Sequence, residues 1–264
     1  MVLTIDIGNS NIVLGGFEGE KLCFVVTIST ETTRTADEYA SKILSILKVH
    51  NAEYKAIGGA IISSVVPPLN SVIKEAIRIL WGIDSFTVGP GIKTGLNINC
   101  DDPSSVGADL ICACVAAANI YKSPSLIVDM GTATKMTVVN EKGAFIGVAI
   151  MPGVMMGLNA LSENTAQLPK VELDAPKAVI GKNTTDSMKS GIIYGNASMI
   201  DGMIDRINSE LDTELSVYGT GGYSHLIIPH CKHKIIVDEH LVLKGLNIIY
   251  NKNNKSNTGI LLSK

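Results

Sequence analysis

Leu3-Thr4-Ile5-Asp6-Ile7-Gly8-Asn9-Ser10-Asn11 is the stretch on which the reading of this chain turns. Apolar and β-branched residues run into one carboxylate, then a glycine, then small polar residues, the pattern of a buried strand ending in a turn. A second apolar run, Ile12-Val13-Leu14-Gly15-Gly16, follows at once, so a hairpin is expected. Gly8 lets the backbone come close to a ligand, and Asn9, Ser10 and Asn11 offer donors for phosphate oxygens. Asp6, at the strand's end, is placed to hold a hydrated cation beside those phosphates. A tight turn with a solvated aspartate accounts for the same residues.

The pattern occurs twice. Leu126-Ile127-Val128-Asp129-Met130-Gly131-Thr132-Ala133-Thr134 is again an apolar strand running into Asp-x-Gly and small polar residues, with a second strand at residues 136–139. Asp6 and Asp129 lie 123 residues apart in a chain of 264. Repetition at the same place in two strand-turn-strand units predicts two related domains, each offering a phosphate-binding hairpin to a shared cleft. Lys122-Ser123-Pro124-Ser125 marks the boundary, giving domains over residues 1–122 and 123–264.

Composition narrows the class. With 46% hydrophobic residues the chain can fill two cores. A net charge of −3 supplies no basic field for nucleic acid or an anionic membrane. Four Phe and one Trp, without basic interleaving, offer no platform for stacking bases. The first residues enter a strand directly, without a charged leader or cleavage site, so no signal peptide is expected. No apolar run approaches the roughly 20 residues that span a bilayer. Cys23, Cys100, Cys112, Cys114 and Cys231 are odd in number and scattered, as expected of reduced thiols in the cytoplasm.

Between the hairpins, strands alternate with helices, which predicts an α/β domain. Residues 22–28 read as a third strand. Thr35-Ala36-Asp37-Glu38 is a capping box, with Tyr39, Ile43 and Leu47 at helical spacing after it. Residues 58–66 form a strand ending at Pro67-Pro68; the next helix shows Val72, Ile73, Ala76, Ile77 and Leu80 on one face and stops at Gly82. Residues 89–94 imitate a P-loop but carry Ile92 where glycine must precede the lysine, and read as a plain loop. Asp109, in Val106-Gly107-Ala108-Asp109, opens a helix whose positive end favours a carboxylate, the position of many routine helix-capping acids as well. Leu110, Ala113, Cys114 and Ala117 form that helix's apolar side, and Cys112 and Cys114 read as core residues.

In the second half, a strand is expected at residues 145–150, and Met151, Met155 and Met156 read as core fillers. Residues 163–169 and 181–184 are polar loops suited to substrate contacts. A long helix runs from Asp186 towards Leu211, where Gly191, Gly195 and Gly202 could permit close helix packing. Val217-Tyr218-Gly219-Thr220-Gly221-Gly222 is a strand entering a glycine turn, which lets a flat ring lie against backbone. His225, His230, Cys231 and His233 follow no zinc-ligand spacing and read as no metal site, and residues 251–256 form a polar tail.

Taken together, these motifs resemble the type III pantothenate kinases of the actin-like ATPase superfamily. The resemblance covers nearly the whole chain. It includes both hairpins, Ser63-Ser64-Val65-Val66-Pro67-Pro68, Gly107-Ala108-Asp109, Pro152-Gly153, the loop at residues 163–169, Asn183-Thr184, Gly221-Gly222 and Leu243-Lys244-Gly245-Leu246. It implies two ribonuclease H-like domains with mixed sheets flanked by helices around a nucleotide cleft. It also implies ATP-dependent phosphorylation of pantothenate, the first step towards coenzyme A, by a cytoplasmic homodimer. By the same resemblance Asp6, Ile7, Gly8, Asn9, Ser10, Asn11, Ile12 and Val13 hold ATP phosphates with Mg²⁺, which Asp6 meets through water. Thr132 contacts ATP, Gly221 and Gly222 lie near adenine, and Asp129 ligates a monovalent cation, K⁺ or NH₄⁺. Asp109 is the implied general base. Cys100, Gly107, Ala108, Leu110 and Thr184 line the substrate with it.

The chain also departs from the family pattern. Leu110 stands where Arg is usual, Cys100 where Tyr is usual, Lys135 where Thr is usual, Thr137 where Asp is usual, and Val148 where Gly is usual. Exchanging Arg for Leu removes a cation that could steady an acidic substrate. The alternatives are a non-catalytic nucleotide-binding regulatory paralogue and a kinase for another small alcohol.

Overall fold

The computed structural model describes the backbone of residues 1–261 and the side chains of residues 1–254. In chain order the elements are β1 (Val2–Ile7), β2 (Asn11–Glu18), β3 (Lys21–Ser29), α1 (Ala36–Val49), β4 (Gly59–Ser64), α2 (Leu69–Trp81), β5 (Ser85–Thr87) and α3 (Ala108–Ile120). They continue with β6 (Ser125–Met130), β7 (Ala133–Val139), β8 (Phe145–Pro152), α4 (Val154–Glu163), α5 (Thr184–Leu211), β9 (Ser216–Thr220), α6 (Ser224–Ile227), β10 (Ile235–Val237) and α7 (Leu241–Leu261).

These elements form two units. The first holds Met1–Asn97, Asp101–Ile120 and the chain from Leu241 onward; the second holds Ile98–Cys100 and Tyr121–His240. Each unit carries a five-stranded sheet, ordered β3-β2-β1-β4-β5 in the first and β10-β9-β6-β7-β8 in the second. The two sheets share one plan. In each, an antiparallel hairpin leads to a third antiparallel strand, and two parallel strands continue from the hairpin's first strand. The repeated Asp-x-Gly turn is therefore the local sign of a repeated fold.

Local signals set the first unit's helices as the sequence predicts. Thr35 Oγ1 accepts the Glu38 N–H at 3.4 Å, and Glu38 Oε2 accepts the Thr35 N–H at 2.8 Å, closing the capping box of α1. Tyr39, Ala40, Ile43 and Leu47 turn inward. Gly82 ends α2 in the left-handed region at φ 65°, where a side chain would be strained.

Several expectations are corrected. Residues Leu110 to Ala117 of α3 are buried all round, because α7 covers the flank left by β4. α7 packs on α3, β1, β2 and β4, which places it with the first unit rather than with residues 123–240. Its backbone stays helical through residues 251–256, where a polar tail is expected; the side chains of 255 and 256 lie outside the described residues. The close helix packing expected at Gly191, Gly195 and Gly202 is absent, since a Cβ at any of them would meet nothing within 4 Å. Gly245 of α7 is the position under pressure, where a Cβ would come 1.9 Å from the Cys112 carbonyl oxygen. Met155 packs against the second core, but Met156 is 49% exposed on the outer face of α4.

Candidate active site

The first turn is braced from within. The Gly8 N–H donates to the Asn11 carbonyl at 2.9 Å, Thr30 Oγ1 donates to the Gly8 carbonyl at 2.7 Å, and the Thr30 N–H donates to Ser10 at 3.0 Å. β3 thus clamps the loop, leaving Asn9, Ser10 and Asn11 exposed at its tip. Ile7 and Ile12 point into the core, fully buried, and can offer a ligand only backbone atoms. Asp6 is half-buried at the end of β1, opposite Val13 of β2 and level with Ser63 of β4.

Asp109 lies in the same unit, in the first turn of α3. Its Oδ1 accepts the Leu110 N–H at 2.9 Å, one of the donors that a helix start leaves over. Gly107 makes room for this, since a Cβ there would lie 2.5 Å from the same oxygen. Ala108 is half-buried and Leu110 is buried. One turn on, Cys112 is fully buried. Burial raises its thiol well above the ordinary range, and the nearby Asp6 and Asp109 charges raise it further. Asp6 and Asp109, 103 residues apart in sequence, thus lie near enough for both charges to be felt at this thiol. A core cysteine in the sequence gives no hint of this.

The second unit repeats the turn with a different charge balance. The Gly131 N–H donates to Ala133 at 3.2 Å, and Thr132 is exposed at the tip. Asp129 ends β6, and its cross-strand neighbour in β7 is Lys135. Lys135 Nζ sits 2.7 Å from Asp129 Oδ2, with the two side chains only 17% and 16% exposed. Gly221, at φ +89°, lies beneath the carboxylate's other oxygen, because a Cβ there would be 2.6 Å from Asp129 Oδ1. Gly222 has open space at its α-carbon. Gly153 backs the turn closely; a Cβ on it would come 2.1 Å from the Thr132 carbonyl.

The remaining candidates belong to the second unit. Thr184 is the first helical residue of α5 and exposed, after Asn183 caps the helix by accepting the Asp186 N–H at 2.9 Å. Cys100 is half-buried beside Asn99, whose N–H donates to Phe145 at 2.8 Å. Among the late histidines, His233 Nε2 lies 2.8 Å from Asp205 Oδ1, and the His230 ring packs edge-on against Tyr194. In the sequence Lys135 reads as a departure that could partly restore charge as a mobile point charge, and Gly153 has no task. Strand register alone exposes the lysine's role, since period-two pairing across a short turn sets it opposite Asp129.

Comparison with known proteins finds relatives along nearly the whole chain. Residues 2–206 match the family model described as type III pantothenate kinase. A type III pantothenate kinase of Halalkalibacterium halodurans is 41% identical over 253 residues, covering 96% of this chain and all of the relative. One from Bifidobacterium animalis subsp. lactis is 44% identical over 254 residues, with the same coverage. Among solved structures, a Clostridium difficile activator of 2-hydroxyisocaproyl-CoA dehydratase with bound ADPNP superposes at a TM-score of 0.57, with 12% identity over 98% of this chain and 97% of its own. That likeness is one of fold.

Proposed function

The chain belongs to the type III pantothenate kinase family, with an actin-like ATPase fold, and we propose that it transfers the γ-phosphoryl group of ATP to the primary hydroxyl of pantothenate. The observation that supports this reading is that the Asp6 turn and Asp109, held at the start of α3 by the Leu110 N–H, belong to one unit. Phosphoryl transfer asks a protein for positioning and charge neutralisation more than for covalent chemistry. A turn that presents Asn9, Ser10 and Asn11 next to a carboxylate suits the phosphate end of ATP. A second carboxylate nearby suits the acceptor hydroxyl.

In this proposal Asp109 accepts the hydroxyl proton as the phosphoryl group is transferred, held in place by the Leu110 N–H. Gly107, Ala108, Leu110, Cys100 and Thr184 contact pantothenate. Gly8 and its neighbours receive the phosphates, Thr132 contacts ATP, and Gly221 and Gly222 lie against adenine. Mg²⁺ fits the first turn, whose carboxylate and hydroxyl and amide oxygens are the hard donors it prefers. Asp6 would hold it through water, and it would neutralise charge on the phosphates. The family also implies a monovalent cation at Asp129. There the residues do not fit, because an ammonium group already stands on that carboxylate.

Leu110 favours a second reading, in which the acceptor is another small alcohol. This side chain is 7% exposed and apolar where the family usually has a guanidinium. Product mass with a panel of alcohols separates the two. We further propose a cytoplasmic homodimer; Val148 and Ile150, exposed on the edge strand β8, support the second copy, and light scattering tests it. No helix among the described residues is long and apolar enough to cross a membrane.

The deciding test pairs two variants. Asp109→Asn is expected to lower pantothenate-dependent ADP release by about 10²–10⁴-fold while Mg-ATP still binds, the usual scale for a lost general base. Asp6→Asn is expected to weaken Mg-ATP binding itself. ADP release by Asp109→Asn at the wild-type rate overturns the assignment of the base.

A further inference from the structure

The repeated hairpins differ at one position that matters for charge. In the first, the residue paired with the strand-end aspartate is Val13, opposite Asp6. In the second it is Lys135, opposite Asp129. Side chains paired across antiparallel strands project from the same face, so the backbone itself delivers an ammonium to Asp129. The resulting bond is 2.7 Å, the length of a charge-assisted contact, and both side chains are mostly buried. Gly221 leaves room for the other carboxylate oxygen, which a Cβ there would meet at 2.6 Å. A lysine ammonium is a compact cation with three N–H donors, chemically close to a free ammonium ion.

We propose that Lys135 is a built-in monovalent cation: its ammonium takes the place beside Asp129 that a free K⁺ or NH₄⁺ would hold, and nucleotide binding and turnover need no added monovalent ion. The inference rests on the kinase reading for its turnover test, but not for its binding test. The carboxylate's single negative charge is already matched by the ammonium. A second cation on the same oxygens would face a like charge in a poorly solvated place, where such repulsion is least screened. The residue paired with Asp6 is the apolar Val13.

The experiment compares wild type and Lys135→Thr in KCl, NH₄Cl, NaCl and tetramethylammonium chloride at equal ionic strength. Mg-ATP affinity is read by calorimetry and pantothenate-dependent ADP release by a coupled assay. Wild type is expected to show affinity and rate within about twofold across the four salts. Lys135→Thr is expected to lose at least about tenfold in tetramethylammonium and to recover in K⁺ or NH₄⁺. Wild type losing about tenfold when K⁺ is replaced overturns the inference, and so does a Lys135→Thr protein as indifferent to salt as wild type. Should Lys135→Thr fail to fold, the wild-type comparison decides alone. If no salt gives pantothenate-dependent turnover, the kinase reading fails, while the salt dependence of ATP affinity still decides the role of Lys135.

Discussion

Leu110 follows Asp109 directly and is 7% exposed, packed at the buried start of α3. A guanidinium there would have to leave water or push the helix outward. Leu110→Arg is therefore expected to lower stability by roughly 2–3 kcal/mol, the range for burying a poorly paired charge. A urea melt measures it, and an unchanged midpoint would mean that the side chain reaches solvent. A turn further on, burial and then the Asp109 charge push the Cys114 thiol up to about 12. Its folded value is raised above the unfolded one near 9, so the contribution is complete below pH 9 and is lost as pH climbs towards 12. By pH 10.5 this thiol alone should lower stability by about 2 kcal/mol relative to pH 8. Urea melts across that window should show the loss, and Cys114→Ala should reduce it by about that amount, leaving the part due to the likewise raised Cys112 thiol. The carboxylate at residue 109 was legible from its place at a helix start. The effect of both Asp6 and Asp109 on the Cys112 thiol was not, since it depends on which strand the helix lies against.

Small residues in the two long helices illustrate the same contrast for whole elements. The glycines of α5 look like a packing stripe in the sequence, but each faces open space. Gly191→Ala and Gly195→Ala should thus each stabilise the protein by up to about 1 kcal/mol, the gain in helix propensity. Gly245→Ala should do the opposite. A methyl group 1.9 Å from the Cys112 carbonyl oxygen forces α7 and α3 apart, for a loss of about 1–3 kcal/mol or more. Chemical denaturation of the three variants side by side should give opposite signs. Helical spacing places these elements well, because caps and periodicity act over a few residues. Which face meets a neighbour depends on residues far away in the chain, and no local pattern encodes it.

At the scale of the whole chain, α7 returns to complete the unit that β1 begins. Leu241, Leu243, Leu246, Ile249 and Tyr250 are all buried there. Burying each such side chain is worth about 1.5–3 kcal/mol, so together they rival the 5–15 kcal/mol stability of an ordinary domain. A chain ending at His240 is expected to lose cooperative thermal unfolding; a sharp circular-dichroism transition near the full-length midpoint would refute this. Read as sequence, the last residues look like a polar tail, since Asn and Lys dominate beyond Tyr250 and local composition is all that can be weighed. The sequence by itself determined the two hairpins, the capped helices and the aspartates at 6, 109 and 129, because strand alternation, turn chemistry and capping are settled within a few residues. Only the tertiary structure decided that α7 joins the first unit, that Asp109 stands in the same unit as the Asp6 turn, and that Lys135 pairs with Asp129. Each of these is a pairing between segments, set by register and packing, and a one-residue slip in register would have turned Lys135 to the other face of its sheet.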